Sequence, residues 1–205
     1  MEPERLRQTP SQTLGPFSAY SLTAEQYGYP YNSIVSGSLI SEATPGQYVD
    51  HERIYITGRV HDGNSDTILD AMVELWQADA QGTYRSEVID KVGPDPHFTG
   101  FGRLGTGTNT NHRFTFTTLK PGQINNESAP HINIILFMRG SLHQLYTRLY
   151  FSDEPAANQQ DALLNAVPED RRHTLIAHRR EQGRLLFYDF DIYMQGDRET
   201  VFFDV

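Results

Sequence analysis

Histidine, tyrosine and the carboxylates are the side chains through which this 205-residue chain could do chemistry, because it contains no cysteine. That absence removes thiolate nucleophiles, disulfides and zinc–thiolate sites. Of the eight histidines, His51, His61, His97, His112, His143, His173 and His178 lack a spacing that would bring two imidazoles to one ion. They read as surface or loop residues. Gly100 to Gly105 (GFGRLG) matches the dinucleotide pattern G-x-G-x-x-G letter for letter. A strand-like segment follows it, however, with no helix to offer its N-terminus to a pyrophosphate. Those glycines are expected to permit a tight, close-packed loop. Asn126-Glu127-Ser128 is a glycosylation sequon only in form. Neither a G-x-S-x-G elbow nor an H-E-x-x-H pair occurs.

Charge and hydropathy exclude further classes. Lys and Arg number 17 against 26 Asp and Glu, a net charge of −9. A surface that tracks phosphates is not expected, so nucleic acid is not a partner. An anionic substrate would need a local cation to overcome that field. No apolar run is long enough to cross a bilayer, so no membrane role is expected. Met1 to Pro10 is charged and polar without an apolar stretch, so a secretory signal is not expected. Lack of cysteine fits a reducing cytoplasmic setting.

The elements that must position any site read as β. Strand composition marks 53–60 (RIYITGRV), 72–77 (MVELWQ), 113–119 (RFTFTTL) and 131–138 (HINIILFM). It also marks 145–151 (LYTRLYF), 184–195 (RLLFYDFDIYMQ) and 200–204 (TVFFD). Aromatic and β-branched residues dominate, and several segments alternate with period 2. Asp62-Gly63-Asn64, Pro121-Gly122 and Gln182-Gly183 are turn signals between them. About seven such strands predict an all-β fold, a single β-sandwich. One short helix is predicted over 156–167, ended by Pro168. Residues 1–50 read as an N-terminal arm and interface segment, and 51–205 as the sandwich. The arm carries Phe17, Tyr20, Tyr27, Tyr29 and Tyr31. These rings either pack on the chain's own sandwich or anchor on a partner.

Four stretches carry a family pattern in order: 73–85 (VELWQADAQGTYR), 95–103 (DPHFTGFGR), 119–125 (LKPGQIN) and 129–133 (APHIN). Together they resemble the intradiol aromatic-ring-cleaving dioxygenases. The resemblance implies a β-sandwich that holds non-haem Fe(III) with two tyrosinates and two histidines. Phenolate oxygens suit a hard ferric ion, and the metal in turn keeps a tyrosine ionised far below its usual pKa of about 10. Carried over residue by residue, the first tyrosine falls on Tyr84 and the first histidine on His131. The second tyrosine position is Ile124 and the second histidine is Asn133. An arginine usual three residues before the first histidine is Ser128. Isoleucine coordinates nothing, and asparagine is a weak neutral donor. The resemblance therefore implies no metal on this chain. Tyr84 and His131 are expected to remain for hydrogen bonding.

This pattern of loss resembles the α-type chain of two-chain family members. Thr9 to Pro16 (TPSQTLGP), Phe137 to Gly140 (FMRG) and Gly196 to Asp204 (GDRETVFFD) resemble that type as well. The resemblance implies a homologous β chain that carries Fe(III), a pocket at the α/β contact, and further assembly of αβ units. Thr13, Gly15 and Pro16 would form part of the pocket wall, and Arg139 would reach towards the substrate. The implied substrates are protocatechuate and O2, and the product is 3-carboxy-cis,cis-muconate, within aromatic catabolism through β-ketoadipate. Three alternatives stay open. Arg139 could serve only as an interface ion pair. The chain could be a self-sufficient dioxygenase for another catechol. It could also be a β-sandwich carrier with no enzymatic partner.

Overall fold

The computed structural model describes residues 15, 21–29, 37–40, 53–84 and 98–204. Among them run ten strands: β1 (Arg53–Gly58), β2 (Val60–His61), β3 (Met72–Trp76), β4 (Phe101–Gly105), β5 (Phe114–Leu119), β6 (His131–Phe137), β7 (Leu145–Phe151), β8 (Ile176–Gln182), β9 (Leu185–Asp189) and β10 (Ile192–Tyr193). Two short helices follow β7, α1 (Pro155–Gln160) and α2 (Ala162–Ala166). Tighter 3-10 segments span Ala24–Tyr27 and Glu169–Leu175.

Eight strands are hydrogen-bonded in the order β4-β3-β6-β7-β8-β9-β1-β5, and β10 pairs with β2 separately. The strand β8 joins two layers. Its first two residues pair with β7, in parallel, and its last five pair with β9, antiparallel. The chain thus passes from one sheet of the sandwich to the other along a single strand. Period-2 alternation aims each layer inward. In β6, Ile132, Ile134 and Leu136 are fully buried while Asn133 and Ile135 between them are partly open. Val73 and Leu75 of β3, Ile54 and Ile56 of β1, and Phe114 and Phe116 of β5 fill the same core.

Part of the N-terminal 50 residues joins this body. Ser38 bridges Thr117, Ile40 bridges Phe98, and Leu39 is fully buried in the core. Burying one such leucine is worth about 1.5–3 kcal/mol, enough to fix a short segment that also makes backbone bonds. Further upstream, the Gln26 amide accepts from the Gly105 backbone N–H at 2.6 Å and donates to the Gly105 carbonyl at 3.2 Å, which covers the free side of β4. Tyr29 is exposed, and Phe17, Tyr20 and Tyr31 lie outside the described residues.

Several sequence expectations change. The single helix over 156–167 is two helices, broken at Asp161. That residue is extended (φ −68°, ψ 119°), and its buried carboxylate accepts from Leu164 N at 2.8 Å as the cap of α2. A capping carboxylate competes with helix continuation at its own position. The GFGRLG stretch is not a loop. Residues 101–105 form β4, where Arg103 faces Glu74 across the ladder. Residues 184–195 divide into β9 and β10, and 200–204 contribute only a bridge from Phe203 to Tyr146. The strand β8 is charged along most of its exposed length, so no apolar alternation marks it.

Candidate functional site

Two loops frame the site, and glycines lock them together. After β3, the Asp79 carboxylate accepts from Gln81 N and Thr83 N, each at 2.9 Å. Its carbonyl accepts from Gly82 N at 3.0 Å and from Gly122 N of the second loop at 2.9 Å. Gly82 has φ +81°, and a Cβ there would run into the Gln123 carbonyl. A Cβ on Gly122 would run into the Ala80 carbonyl. No side chain fits between the loops at either point. Buried Gln77 adds a second tie by donating to the Leu119 carbonyl at 2.9 Å and accepting from Thr118 Oγ1 at 2.8 Å. Lys120 anchors the far end of the second loop on Asp153 (2.9 Å) and Glu154 (2.7 Å). Burial alone would lower this ammonium, but the bonds to Glu154 and Asp153 outweigh it and push it up.

The frame delivers Tyr84 over one face of the sheet. His131 and Asn133 are two apart on β6 and share that face. Register puts Tyr150 opposite His131, Arg148 opposite Asn133, and Trp76 opposite Asn133 on the other side. The Tyr84 ring stacks near Trp76 at 6.4 Å between centroids. Ile124 stands at the edge, 38% exposed, with its Cα against Gly82.

A directed hydrogen-bond chain runs through these groups. Arg148 Nε donates to Asn133 Oδ1 at 3.0 Å, and Asn133 Nδ2 donates to Tyr84 Oη at 2.9 Å. Tyr84 Oη lies 3.4 Å from His131 Nε2, and His131 Nδ1 lies 2.8 Å from the Ala129 carbonyl. The carbonyl can only accept, so Nδ1 carries the proton and Nε2 offers its lone pair to the phenol. Burial, then the Arg148 charge, holds the His131 pKa below the ordinary histidine value, so the imidazole is neutral. Burial raises the Tyr84 phenol above its ordinary value, against the lowering effects of the Asn133 bond and the Arg148 charge. Behind the chain, Arg148 Nη1 reaches Tyr150 Oη at 3.5 Å, and Tyr150 donates to Asp161 Oδ1 at 2.9 Å. Asp161 Oδ2 also accepts from Ala129 N at 2.9 Å, which fixes the carbonyl that orients His131.

This donor set does not fit a ferric ion. It offers one protonated phenol, one neutral imidazole, an amide already bonded at both ends, and no donor at Ile124. A guanidinium stands beside them instead of an anionic ligand. Sequence reasoning singled out Tyr84, Ile124, His131 and Asn133; the structure joins Tyr84, His131 and Asn133 by hydrogen bonds and sets Ile124 beside Gly82. It missed Arg148 and Asp161. The signal for Arg148 was a lone charge at the centre of an apolar strand, LYTRLYF.

The other expected site residues lie elsewhere. Arg139 follows β6 at the end remote from His131, eight residues on and about 25 Å along an extended chain. Its side chain is 61% exposed and pairs only loosely with Asp70, Nε to Oδ2 at 3.4 Å. Gly15 is exposed, and a Cβ there would meet nothing. Thr13 and Pro16 lie outside the described residues. Contrary to the surface reading, His61 is half-buried on β2. It stacks on Tyr193 at 4.7 Å with Nδ1 3.2 Å from the Ser65 carbonyl. A cavity of about 260 Å³ lined by His173, His178, Asp189, Asp191 and Arg198 among others includes none of the sequence-predicted site residues.

Comparison with known proteins bears on this geometry. Residues 38–196 match a protein-family model described as Dioxygenase. The protocatechuate 3,4-dioxygenase alpha chain of Burkholderia cepacia is 47% identical over 201 residues, covering 98% of both chains. The chain belongs to the intradiol dioxygenase family. A protocatechuate 3,4-dioxygenase beta chain, also from B. cepacia, matches less of it, at 35% identity over 73% of this chain and 67% of that one. Among solved structures, the dioxygenase domain of a carbohydrate-binding fusion from Streptomyces sp. SirexAA-E superposes with a TM-score of 0.58. It covers 94% of this chain and all of that one at 23% identity, a likeness of fold. No helix among the described residues is long and apolar enough to cross a membrane.

Proposed function

We propose that this chain is the iron-free α subunit of a protocatechuate 3,4-dioxygenase. A homologous β chain holds the Fe(III). The two form a shared pocket in which protocatechuate and O2 give 3-carboxy-cis,cis-muconate, and both oxygen atoms enter the product. The observation that carries this reading is the closed hydrogen-bond chain from Arg148 to Ala129. It satisfies the residual ligands Tyr84 and His131 from within the chain, while the sequence follows an alpha-chain relative from end to end.

In this reading the chain contributes walls and charge. Arg139 is the substrate-facing cation, with a guanidinium free enough to turn from Asp70 to a carboxylate. Thr13, Gly15 and Pro16 belong to the pocket wall, where the bare Cα of Gly15 admits a ring. The αβ unit repeats into a closed oligomer in the bacterial cytoplasm and serves aromatic catabolism through β-ketoadipate. The deciding experiment purifies the chain alone and together with a β homologue from the same source. Ring-opening activity and one iron per αβ pair are expected only in the complex. Stoichiometric Fe(III), a burgundy tyrosinate-to-iron band and turnover in the isolated chain would sink this reading.

A further inference from the structure

We infer that Arg148 is the residue that bars a metal ion from this chain's own ligand cluster, beyond the loss of ligands at Ile124 and Asn133. Loss of donors explains weak binding but does not explain a cation placed in the cluster. Arg148 stands directly across the ladder from Asn133 and shares its face of the sheet. Its Nε holds the amide oxygen at 3.0 Å, and its Nη1 reaches Tyr150 Oη at 3.5 Å. Arg148 is half-buried. Among the described residues it forms no direct ion pair, and the network links it to a carboxylate, Asp161, through the Tyr150 hydroxyl. Two other half-buried cations are paired directly with carboxylates: Arg103 with Glu74 at 2.6 Å, and Lys120 with Asp153 and Glu154.

A guanidinium without a directly paired carboxylate in a partly desolvated cluster repels a trivalent ion, because Coulomb energy scales with the product of the charges and with the inverse of the local dielectric constant. The same guanidinium fixes the rotamer of Asn133, so that the amide turns its Nδ2–H, not a lone pair, towards Tyr84. Charge and hydrogen bonding therefore both oppose metal binding at this point. Restoring the two missing ligands removes the Asn133 amide but leaves the opposing charge in place.

This inference rests on the reading that iron lies on the partner chain, and the test separates the two. Iron per αβ pair is counted in the assembled complex for wild type, I124Y/N133H, I124Y/N133H/R148Q and I124Y/N133H/R148K. Co-elution with the β chain certifies that each variant is folded. One iron per pair is expected for wild type, for the double variant and for the Lys variant, and about two for the Gln variant, with a matching gain in the visible charge-transfer band. Two irons per pair in wild type would defeat the functional reading itself. With wild type at one, a second iron in the double or Lys variant, or none in the Gln variant, overturns the role of Arg148. If the triple variants do not assemble, N133H/R148Q and N133H/R148K are titrated with Co2+, whose visible bands report ligation. At least about tenfold tighter binding is expected with Gln, and equal binding refutes the inference.

Discussion

At the scale of the residue, one position separates function from stability. Arg139 is exposed and pairs with Asp70 at 3.4 Å, a contact worth less than about 0.5 kcal/mol. Arg139→Ala should leave urea unfolding of the chain unchanged while lowering kcat/KM of the αβ complex for protocatechuate about 10- to 100-fold at constant iron content. Unchanged kinetics in an intact complex would leave Arg139 without a substrate role. His131 makes the complementary case. Its folded pKa lies below that of the unfolded chain, so the unfolded state binds the extra proton first. The neutral imidazole contributes its full stability above the unfolded value of about 6.5. As pH falls from there towards the folded value, the chain loses stability at up to about 1.4 kcal/mol per unit. Urea midpoints measured between pH 7 and 5 should fall more steeply for wild type than for His131→Gln. The cluster of Tyr84, His131 and Asn133 was legible in the sequence because its motifs are local. Arg148 and Asp161 were not, since strand register and a helix cap bring them to the site from sequence distances of 15 and 28 residues from Asn133.

Elements explain the shape of the site from the chain's own bonds. The two loops are tied through Asp79, Gly82 and Gly122, and the glycines leave no room for another atom. Gly82→Ala combines a positive φ with a backbone clash. A loss of at least about 2 kcal/mol in urea unfolding is expected, with Tyr84 displaced. Asp161 plays the same part for the helices. One carboxylate caps α2, holds Ala129 N and receives the Tyr150 hydroxyl. Asp161→Ala should cost about 3–5 kcal/mol, since three buried partners lose a charged acceptor. A loss near 1 kcal/mol would show that water replaces it. Strand identities could be read from aromatic and β-branched runs, but β4 and β8 could not. Glycines in one and charges in the other mask strands whose existence depends on neighbours in the ladder.

On the scale of the whole molecule, β8 makes the two layers one cooperative body. Buried residues from nine strands, on both sides of that crossing, meet in a single core. Fluorescence of the sole tryptophan, Trp76 on one layer, and far-UV circular dichroism should therefore report one coincident urea transition. Separated midpoints would indicate that the layers unfold independently. The sandwich class could be inferred from strand number and turn spacing, but the order of strands could not. Order depends on which faces are apolar in three dimensions, and a strand that changes sheets leaves no local mark. The acidic surface, net −9, adds weight to local cations wherever an anion must be met.

The self-contained bonding of Tyr84, Asn133 and His131 has a consequence for biogenesis. Under the function proposed above, a newly made copy reaches its final form without any metallation step and is ready to dock at once. Iron starvation or a chelator would then act on the sister polypeptide alone. Each working centre would need a single ion for every two polypeptides synthesised.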